Sequence, residues 1–232
     1  MRIAFVAANR ERLPDPVIPL GLLSVLEACP ERHERHVLDL CFEADPVGAL
    51  RAWLKDVRPD LVAISLRNLQ SADYSEASSN VEAYRALVDA VREETAAPVV
   101  LGGGGYSVMP GALLEALGAD YGVAGEGEGV FRSLVAALDA GGRDLDRVDG
   151  LYRRADGRVV PPSRPATFLD LSTLGFVDRR RETLVIDLAR NFRLAPGEGN
   201  AGNVYGGGTL EWLPSDLYST RSIPVVRSRE PL

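Results

Sequence analysis

The chain has 232 residues, of which 33 are acidic and 26 are basic, giving a formal net charge of −7. This acidic balance argues against a broad nucleic-acid or anionic-membrane surface, and no apolar run is long enough to span a membrane. Its two cysteines, Cys29 and Cys41, are too few for a disulfide framework, an iron–sulfur cluster or a cysteine-built zinc site. The N-terminus breaks into charges too early for a secretory signal, so we expect a cytoplasmic protein.

Short apolar runs alternate with amphipathic stretches over the first 141 residues. Many of the runs are apolar on both faces, as the buried strands of a parallel sheet are. The pattern predicts a Rossmann- or flavodoxin-like, doubly wound α/β domain with a parallel five-stranded sheet of order 2-1-3-4-5. Predicted strands cover 3–8, 36–40, 61–65, 98–101 and 121–124; predicted helices cover roughly 18–29, 46–57, 77–95, 110–118 and 128–140.

The pattern changes after residue 142. Residues 147–161 predict a small β-hairpin that turns at Ala155-Asp156-Gly157, and the prolines that follow indicate a linker. Beyond residue 167 the sequence is Gly-rich or lacks apolar periodicity, apart from the spacing of one short helix near 180–190. We therefore expect a ligand-binding domain at 1–142, a hairpin and linker at 143–166, and an irregular tail at 167–232.

Ligands of doubly wound sheets bind beyond the carboxyl ends of the strands. Four glycines in a row follow the fourth predicted strand and remove every Cβ there, which permits either a tight turn or the close approach of a flat ligand. A second glycine cluster follows the fifth strand. The candidate site residues come from these strand ends: Asn9; Ser65, Leu66, Arg67 and Asn68; Gly102, Gly103, Gly104, Gly105, Tyr106 and Ser107; and Gly125, Glu126, Gly127 and Glu128.

Other chemistries fit the sequence less well. The cluster after the fifth strand has Val130 where a dinucleotide fingerprint needs its third glycine, and its glutamates would repel a pyrophosphate. His33 and His36 are expected to be exposed and without a catalytic role, and both cysteines are expected to be buried packing thiols. An enzyme that uses Glu126 and Glu128 remains an alternative, although glutamates at a helix start also serve as partners of the helix dipole.

Five segments carry a resemblance to a known family. They are Ile18-Pro-Leu-Gly-Leu-Leu23, Val37-Leu-Asp-Leu40, Pro59-Asp-Leu-Val-Ala-Ile-Ser65, Val99-Val-Leu-Gly-Gly103 and Ala119-Asp-Tyr-Gly-Val-Ala-Gly-Glu-Gly-Glu128. Over about residues 1–165 the chain resembles the cobalamin-binding domain that precedes the barrel of cobalamin-dependent radical S-adenosylmethionine enzymes, many of which are methyltransferases. The resemblance implies that the strand ends face a corrin ring. It places the 65–68 loop, the 102–107 loop and the 125–128 turn on the corrin or its nucleotide tail, with Asn9 at the rim and Ser65 and Ser107 as hydrogen-bonding groups.

Two departures from the family pattern bear on function. Asp39-Leu40-Cys41 lacks the histidine of the Asp-x-His-x-x-Gly signature, which implies cobalamin without a protein histidine ligand. Gly202-Asn203-Val204 is followed by no cysteine motif, so an iron–sulfur cluster and S-adenosylmethionine are not supported by this chain alone. We expect a cobalamin-binding module that is truncated or depends on a separate radical-SAM barrel subunit. The alternative is a flavodoxin-like binding or interaction module without cobalamin.

Overall fold

The computed structural model describes residues 1–11, 17–70 and 79–166, and the backbone of 209–210 and 228–229. A seven-stranded sheet of order β2-β1-β3-β4-β5-β6-β7 forms its centre. The first five strands are parallel, so the predicted α/β class and the predicted order 2-1-3-4-5 are confirmed. The strands are β1 (Arg2–Ala7), β2 (Glu34–Asp39), β3 (Leu61–Ser65), β4 (Val99–Gly102), β5 (Tyr121–Val123), β6 (Leu151–Ala155) and β7 (Arg158–Val160).

Helices cover both faces of the sheet, and all five predicted helices are present. Apolar residues of α1 and α6 bury one face, and those of α2, α3 and α5 bury the other. A sixth helix, α4, lies where the sequence predicted only a loop between residues 102 and 107. The helices are α1 (Leu20–Ala28), α2 (Pro46–Val57), α3 (Val81–Glu94), α4 (Gly104–Val108), α5 (Pro110–Leu117) and α6 (Gly127–Asp139).

The predicted hairpin is present, but it extends the sheet instead of standing apart from it. Strand β6 pairs antiparallel with β5 through Val123 and Leu151, and Asp156 and Gly157 both adopt positive φ in the two-residue turn, as a type I′ turn requires. The Arg154 guanidinium donates hydrogen bonds to carbonyls at the end of α5, at 3.1 Å for Leu114. These contacts give the sheet seven strands where the sequence predicted five.

His33 lies at the amino edge of the sheet and is buried, so its predicted exposure is wrong. Its ring fills the space between the N-terminal amine and the end of α6: Nδ1 lies 3.2 Å from the Met1 amine, and Nε2 lies 3.2 Å from Asp139 Oδ2. Burial lowers the pKa of His33. The hydrogen bond from Arg32 lowers the pKa of Asp139. His36, on β2, is half-buried rather than exposed.

Both cysteines are buried, as predicted, and burial raises the pKa of the Cys29 thiol to about 11. A thiol with so high a pKa is protonated near neutral pH and therefore a poor metal ligand. Within the described ranges, no helix is long and apolar enough to cross a membrane. The predicted tail lies outside the described residues, except for the paired strands β8 (Thr209–Leu210) and β9 (Ser228–Arg229); the helix predicted near 180–190 also lies outside them.

Protonation of His33 should make folding stability depend on pH. The unfolded chain takes up a proton near pH 6.5, whereas the folded chain does so only at a lower pH, so stability falls as the pH drops below 6.5. The slope for one proton is at most about 1.4 kcal/mol per pH unit. Asp139, with its own lowered pKa, adds a further loss in more acidic solution. We expect the free energy of unfolding, measured with urea, to fall less between pH 7.5 and pH 5.5 in His33→Gln than in the wild type. Equal decreases in the two proteins would contradict this account.

Gly122 in β5 leaves room for the fully buried ring of Tyr106. A Cβ at Gly122 would overlap the Tyr106 hydroxyl and Cζ. We therefore predict that Gly122→Ala destabilises the fold by about 1–3 kcal/mol, the usual range for overpacking. Gly111→Ala is the matched control, because its Cβ would meet nothing closer than 3.9 Å and would change stability by less than about 1 kcal/mol. Chemical denaturation measures both, and equal stabilities would contradict the prediction.

Candidate cofactor site

A cleft opens at the carboxyl edge of the sheet, between the ends of β1, β3, β4 and β5 and the first turns of α1 and α6. Its volume is about 470 Å³, which is within the range of small-ligand pockets. We call it the carboxyl-edge cleft. The sheet contributes Ala7, Ala63, Ser65, Val100, Gly102 and Val123, and the helices contribute Leu22, Val25 and Phe131.

The cleft exists because the side chains on one face of the sheet become smaller toward the carboxyl ends. Alternate residues of a strand point to the same face, so Ile3, Phe5 and Ala7 follow one another on β1, and Leu61 and Ala63 do so on β3. The large side chains at the amino end are fully buried in the core. The small ones leave a space at the level where α1 and α6 begin.

Ten of the fifteen predicted site residues line this cleft. They come from all four strand ends that the sequence singled out, although those segments are far apart in the chain. The ten are Asn9, Ser65, Arg67, Gly102, Gly103, Gly104, Gly125, Glu126, Gly127 and Glu128. The parallel sheet therefore brings the predicted segments together at one edge.

The other five predicted residues do not line the cleft. Leu66, Gly105 and Tyr106 are buried. The carbonyl of Asn68 accepts a hydrogen bond of 2.6 Å from Tyr84 on α3; burial is the main reason that the pKa of this tyrosine is raised to about 12. Ser107 forms hydrogen bonds within the protein, to Gly103 and Gly125.

The four consecutive glycines divide into two kinds. Gly103 has φ 97°, and a Cβ added there would lie 2.6 Å from the Leu66 carbonyl oxygen. A Cβ added at Gly105 would lie 2.9 Å from the Arg67 carbonyl oxygen. These two glycines thus allow the turn after β4 to pack on the main chain after β3. At Gly102 and Gly104 the nearest atom would be 3.7 and 3.8 Å from the Cβ, which is ordinary van der Waals distance, and both glycines line the cleft.

Sequence reasoning missed the apolar depth of the cleft. Val17, Leu20 and Val25, in and before α1, form one wall, and Phe131 of α6 forms another. The decrease in side-chain size along β1 and β3 was the available signal, but it locates a cavity only when the strand order and register are known. Residues 12–16, which follow Asn9 in the sequence, lie outside the described residues.

Polar groups near the mouth of the cleft favour a ligand with hydrogen-bond donors. Asn9 is only 8% exposed, and within the described structure its Oδ1 atom has no hydrogen-bond partner. Among the described residues that line the cleft, Asp39, Glu126 and Glu128 provide carboxylates, and Arg67 provides a guanidinium. A buried hydrogen-bond acceptor without a donor lowers the stability of the folded protein. A bound ligand that donates a hydrogen bond to Asn9 Oδ1 would remove this penalty.

The fold is a doubly wound α/β domain with a cleft beyond the carboxyl ends of its strands, which is the place where ligands of such sheets bind. Residues 8–135 match the family model described as "B12 binding domain". This match covers more than half of the chain, and the chain therefore belongs to the B12-binding domain family.

Known proteins agree with this assignment. The tryptophan 2-C-methyltransferase of Streptomyces laurentii is 39% identical over 165 residues, which are 68% of this chain and 27% of that enzyme. The structure of the radical S-adenosylmethionine methyltransferase TsrM from Kitasatospora setae, with cobalamin and a [4Fe-4S] cluster bound, matches with a TM-score of 0.64 at 31% identity, covering 75% of this chain and 31% of TsrM. This chain thus spans about a quarter to a third of these relatives.

A more distant match shows the fold alone. The cobalamin-dependent S-adenosylmethionine radical enzyme OxsB, in its apo form, has a TM-score of 0.59 at 15% identity, over 75% of this chain and 23% of OxsB. The similarity to TsrM and the family match together make this chain a B12-binding domain that resembles the cobalamin-binding part of TsrM-like methyltransferases.

The residues of the cleft fit a cobalamin. The periphery of a corrin ring carries amide groups, whose N–H bonds are suitable donors for Asn9 Oδ1 and the nearby carboxylates. The apolar interior suits an aromatic base. None of the described residues that line the cleft is a histidine, cysteine or methionine, so the described lining offers no imidazole or sulfur ligand for cobalt.

Two adjacent glycines should respond differently to the same substitution. We predict that Gly105→Ala destabilises the fold by about 1–3 kcal/mol, because its Cβ would be pressed against the main chain of Arg67. Gly104→Ala should change stability by less than about 1 kcal/mol, because its Cβ would meet nothing closer than 3.8 Å at a helical position. Thermal and urea unfolding measure both variants; equal destabilisation would show that the turn after β4 packs differently.

Proposed function

We propose that this chain binds cobalamin in the carboxyl-edge cleft and that catalysis requires an iron–sulfur protein or further polypeptide. One observation carries the cofactor assignment: a cleft with an apolar interior and an unpaired, buried amide oxygen at Asn9 lies at the strand ends of a B12-binding domain. A cavity of about 470 Å³ is too small for a whole corrinoid. The nucleotide tail therefore occupies its depth, and the strand-end turns contact the ring at its mouth.

The proposed contacts divide by polarity. Ala63, Val100 and Phe131 surround the tail in the interior of the cleft, where polar groups of the ligand would lose their hydration. Asn9 and Ser65 hold amide groups near the mouth. Gly104 and Gly125 present main chain without a Cβ to the edge of the ring.

Cobalamin is proposed to bind without a protein nitrogen ligand. The position where the family signature has histidine is occupied by Cys41, which is buried and whose main-chain N–H donates to the Asp39 carboxylate at 3.0 Å. Arg67 lines the cleft, but a guanidinium has no free lone pair to offer a metal. With the tail held in the cleft, the benzimidazole is also removed from the cobalt.

The partner proposal rests on the cysteines and on an exposed apolar surface. Bound cobalamin supplies a cobalt that can carry a methyl group. Cys29 and Cys41 are both buried and too few for a cluster, so the thiolates of a cluster would have to come from further polypeptide, either of the same protein or of a partner. Val108, the last residue of α4, and Met109, the residue after it, are 68% and 55% exposed, and they provide an apolar surface on which such a partner docks.

A visible-spectrum titration with hydroxocobalamin and methylcobalamin tests the cofactor proposal. We expect saturable one-to-one binding, with the methylcobalamin spectrum moving to its base-off form. Gly104→Leu should weaken binding at least tenfold, because its side chain fills the mouth of the cleft while the local space permits folding. Gly111→Leu, on α5 and away from the cleft, is the matched control and should bind as the wild type does.

Three results would contradict the proposal. The first is a folded wild-type chain that causes no spectral change, which would favour the interaction module without cobalamin. The second is a Gly104→Leu variant that binds as tightly as the wild type, which would place the cofactor elsewhere. The third is turnover by the purified chain alone, which would remove the need for a partner.

A further inference from the structure

Three turns stand side by side at the carboxyl edge, and they are joined in different ways. The turns after β3 and β4 are connected by main-chain hydrogen bonds: Leu66 N–H donates to the Gly102 carbonyl at 2.8 Å, and Gly105 N–H donates to the Leu66 carbonyl at 2.9 Å. Such bonds do not depend on any side chain. They fix the position of the turn after β4 relative to the turn after β3.

The turns after β4 and β5 are connected by the side chain of Ser107. Its hydroxyl donates to the Gly103 carbonyl at 3.0 Å and accepts from the Gly125 N–H at 2.9 Å. The paired residues of β4 and β5 end at Leu101 and Gly122, and in the described structure no main-chain hydrogen bond joins the two turns beyond that point. Ser107 therefore bridges a gap that the sheet leaves open.

The residue before Ser107 reinforces the same junction. Tyr106 is fully buried, and its hydroxyl occupies the place above Gly122 of β5. Consecutive residues of α4 thus contact β5 at two levels, Tyr106 within the strand and Ser107 in the turn that follows it. Helix α4 is consequently held in one position relative to the turn after β5.

Both hydrogen-bond partners of Ser107 line the cleft, whereas Ser107 does not. We propose that Ser107 is a positioning residue: it sets the distance between the turn after β4, at Gly103, and the turn after β5, at Gly125, and thereby the affinity for the corrinoid. This inference rests on the proposed function. It assigns Ser107 an indirect role through Gly103 and Gly125, in place of the direct ligand contact that the sequence predicted.

The chain contains a matched control for this role. Ser133 on α6 donates to the carbonyl of Gly129, four residues earlier, at 2.9 Å, as Ser107 does to Gly103. Gly129 and Ser133 do not line the cleft. Removal of each hydroxyl therefore deletes the same kind of local bond, but only Ser107→Ala also releases Gly125.

Cobalamin titration and stopped-flow dissociation of Ser107→Ala, Ser107→Thr and Ser133→Ala test the proposal. We expect Ser107→Ala to bind about tenfold more weakly, as the loss of one to two hydrogen bonds predicts, mainly through faster dissociation. Ser107→Thr keeps the hydroxyl and should restore most of the affinity, and Ser133→Ala should bind as the wild type does. In the cofactor-free chain, the Gly125 amide should exchange hydrogen faster in Ser107→Ala than in Ser133→Ala.

The outcomes separate the two proposals. Wild-type binding together with equal affinity of Ser107→Ala would overturn the role of Ser107 and leave the cofactor assignment intact. Weak binding by Ser107→Thr, or an equal loss in Ser133→Ala, would also overturn it, since the hydroxyl bridge would not be the cause. Failure of the wild-type chain to bind would overturn the proposed function, and unchanged exchange at Gly125 would then independently reject the bridge itself.

Discussion

The space at the carboxyl edge depends on side-chain size at the ends of parallel strands. Parallel pairing places Ala7 beside Ser65 and Ser65 beside Gly102, so small residues that are far apart in sequence become neighbours at one level of the sheet. Helices α1 and α6 start at that level, and their apolar residues cannot fill the space from above. The same strands carry larger residues farther from this edge, and Phe5 packs on Phe131 of the cleft wall with ring centroids 5.4 Å apart. The cleft is thus the unfilled end of an otherwise close-packed layer.

Much of the fold could be predicted because its signals are local. Apolar strands that alternate with amphipathic helices define the class and the strand order. The spacing of Val81, Tyr84, Leu87, Val88 and Val91 predicts one apolar face of α3; the last four are buried, and Val81 is partly buried against the same core. The errors arose where long-range contacts decide. The hairpin joins β5 because Arg154 reaches the end of α5, and His33 is buried because the end of α6 covers it.

The glycine cluster shows why the site was only partly predictable. Absent Cβ atoms indicate close approach, but the sequence does not say what approaches. At Gly103 and Gly105 it is the main chain after β3, and at Gly122 it is the Tyr106 hydroxyl; a Cβ at Gly102 or Gly104 would make only ordinary van der Waals contact. Two of the four glycines, Gly104 and Gly105, also form the start of α4, which helix propensity alone disfavours. The helix forms there because the turns after β3 and β4 pack together, despite the low helix propensity of glycine.

The match to the B12-binding domain family covers residues 8–135, and the chain spans 27% of the tryptophan 2-C-methyltransferase that it matches. Every feature proposed for the cofactor lies within residues 9–131, at one edge of the sheet. Cys29 is buried in the helical layer at the other end of the fold, beside the Arg35 and Arg32 side chains that influence its pKa. Under the proposed function, this chain provides the cofactor site and further polypeptide provides the thiolates of a cluster.

The position of the cobalt in a crystal of this chain grown with cobalamin is the most direct test of the account. Anomalous scattering at the cobalt absorption edge locates the metal independently of the interpretation of the surrounding density. The account predicts one cobalt at the mouth of the carboxyl-edge cleft, near the turns that contain Gly104 and Gly125 and without a protein nitrogen ligand. A cobalt on another surface, or one ligated by a histidine of this chain, would contradict it.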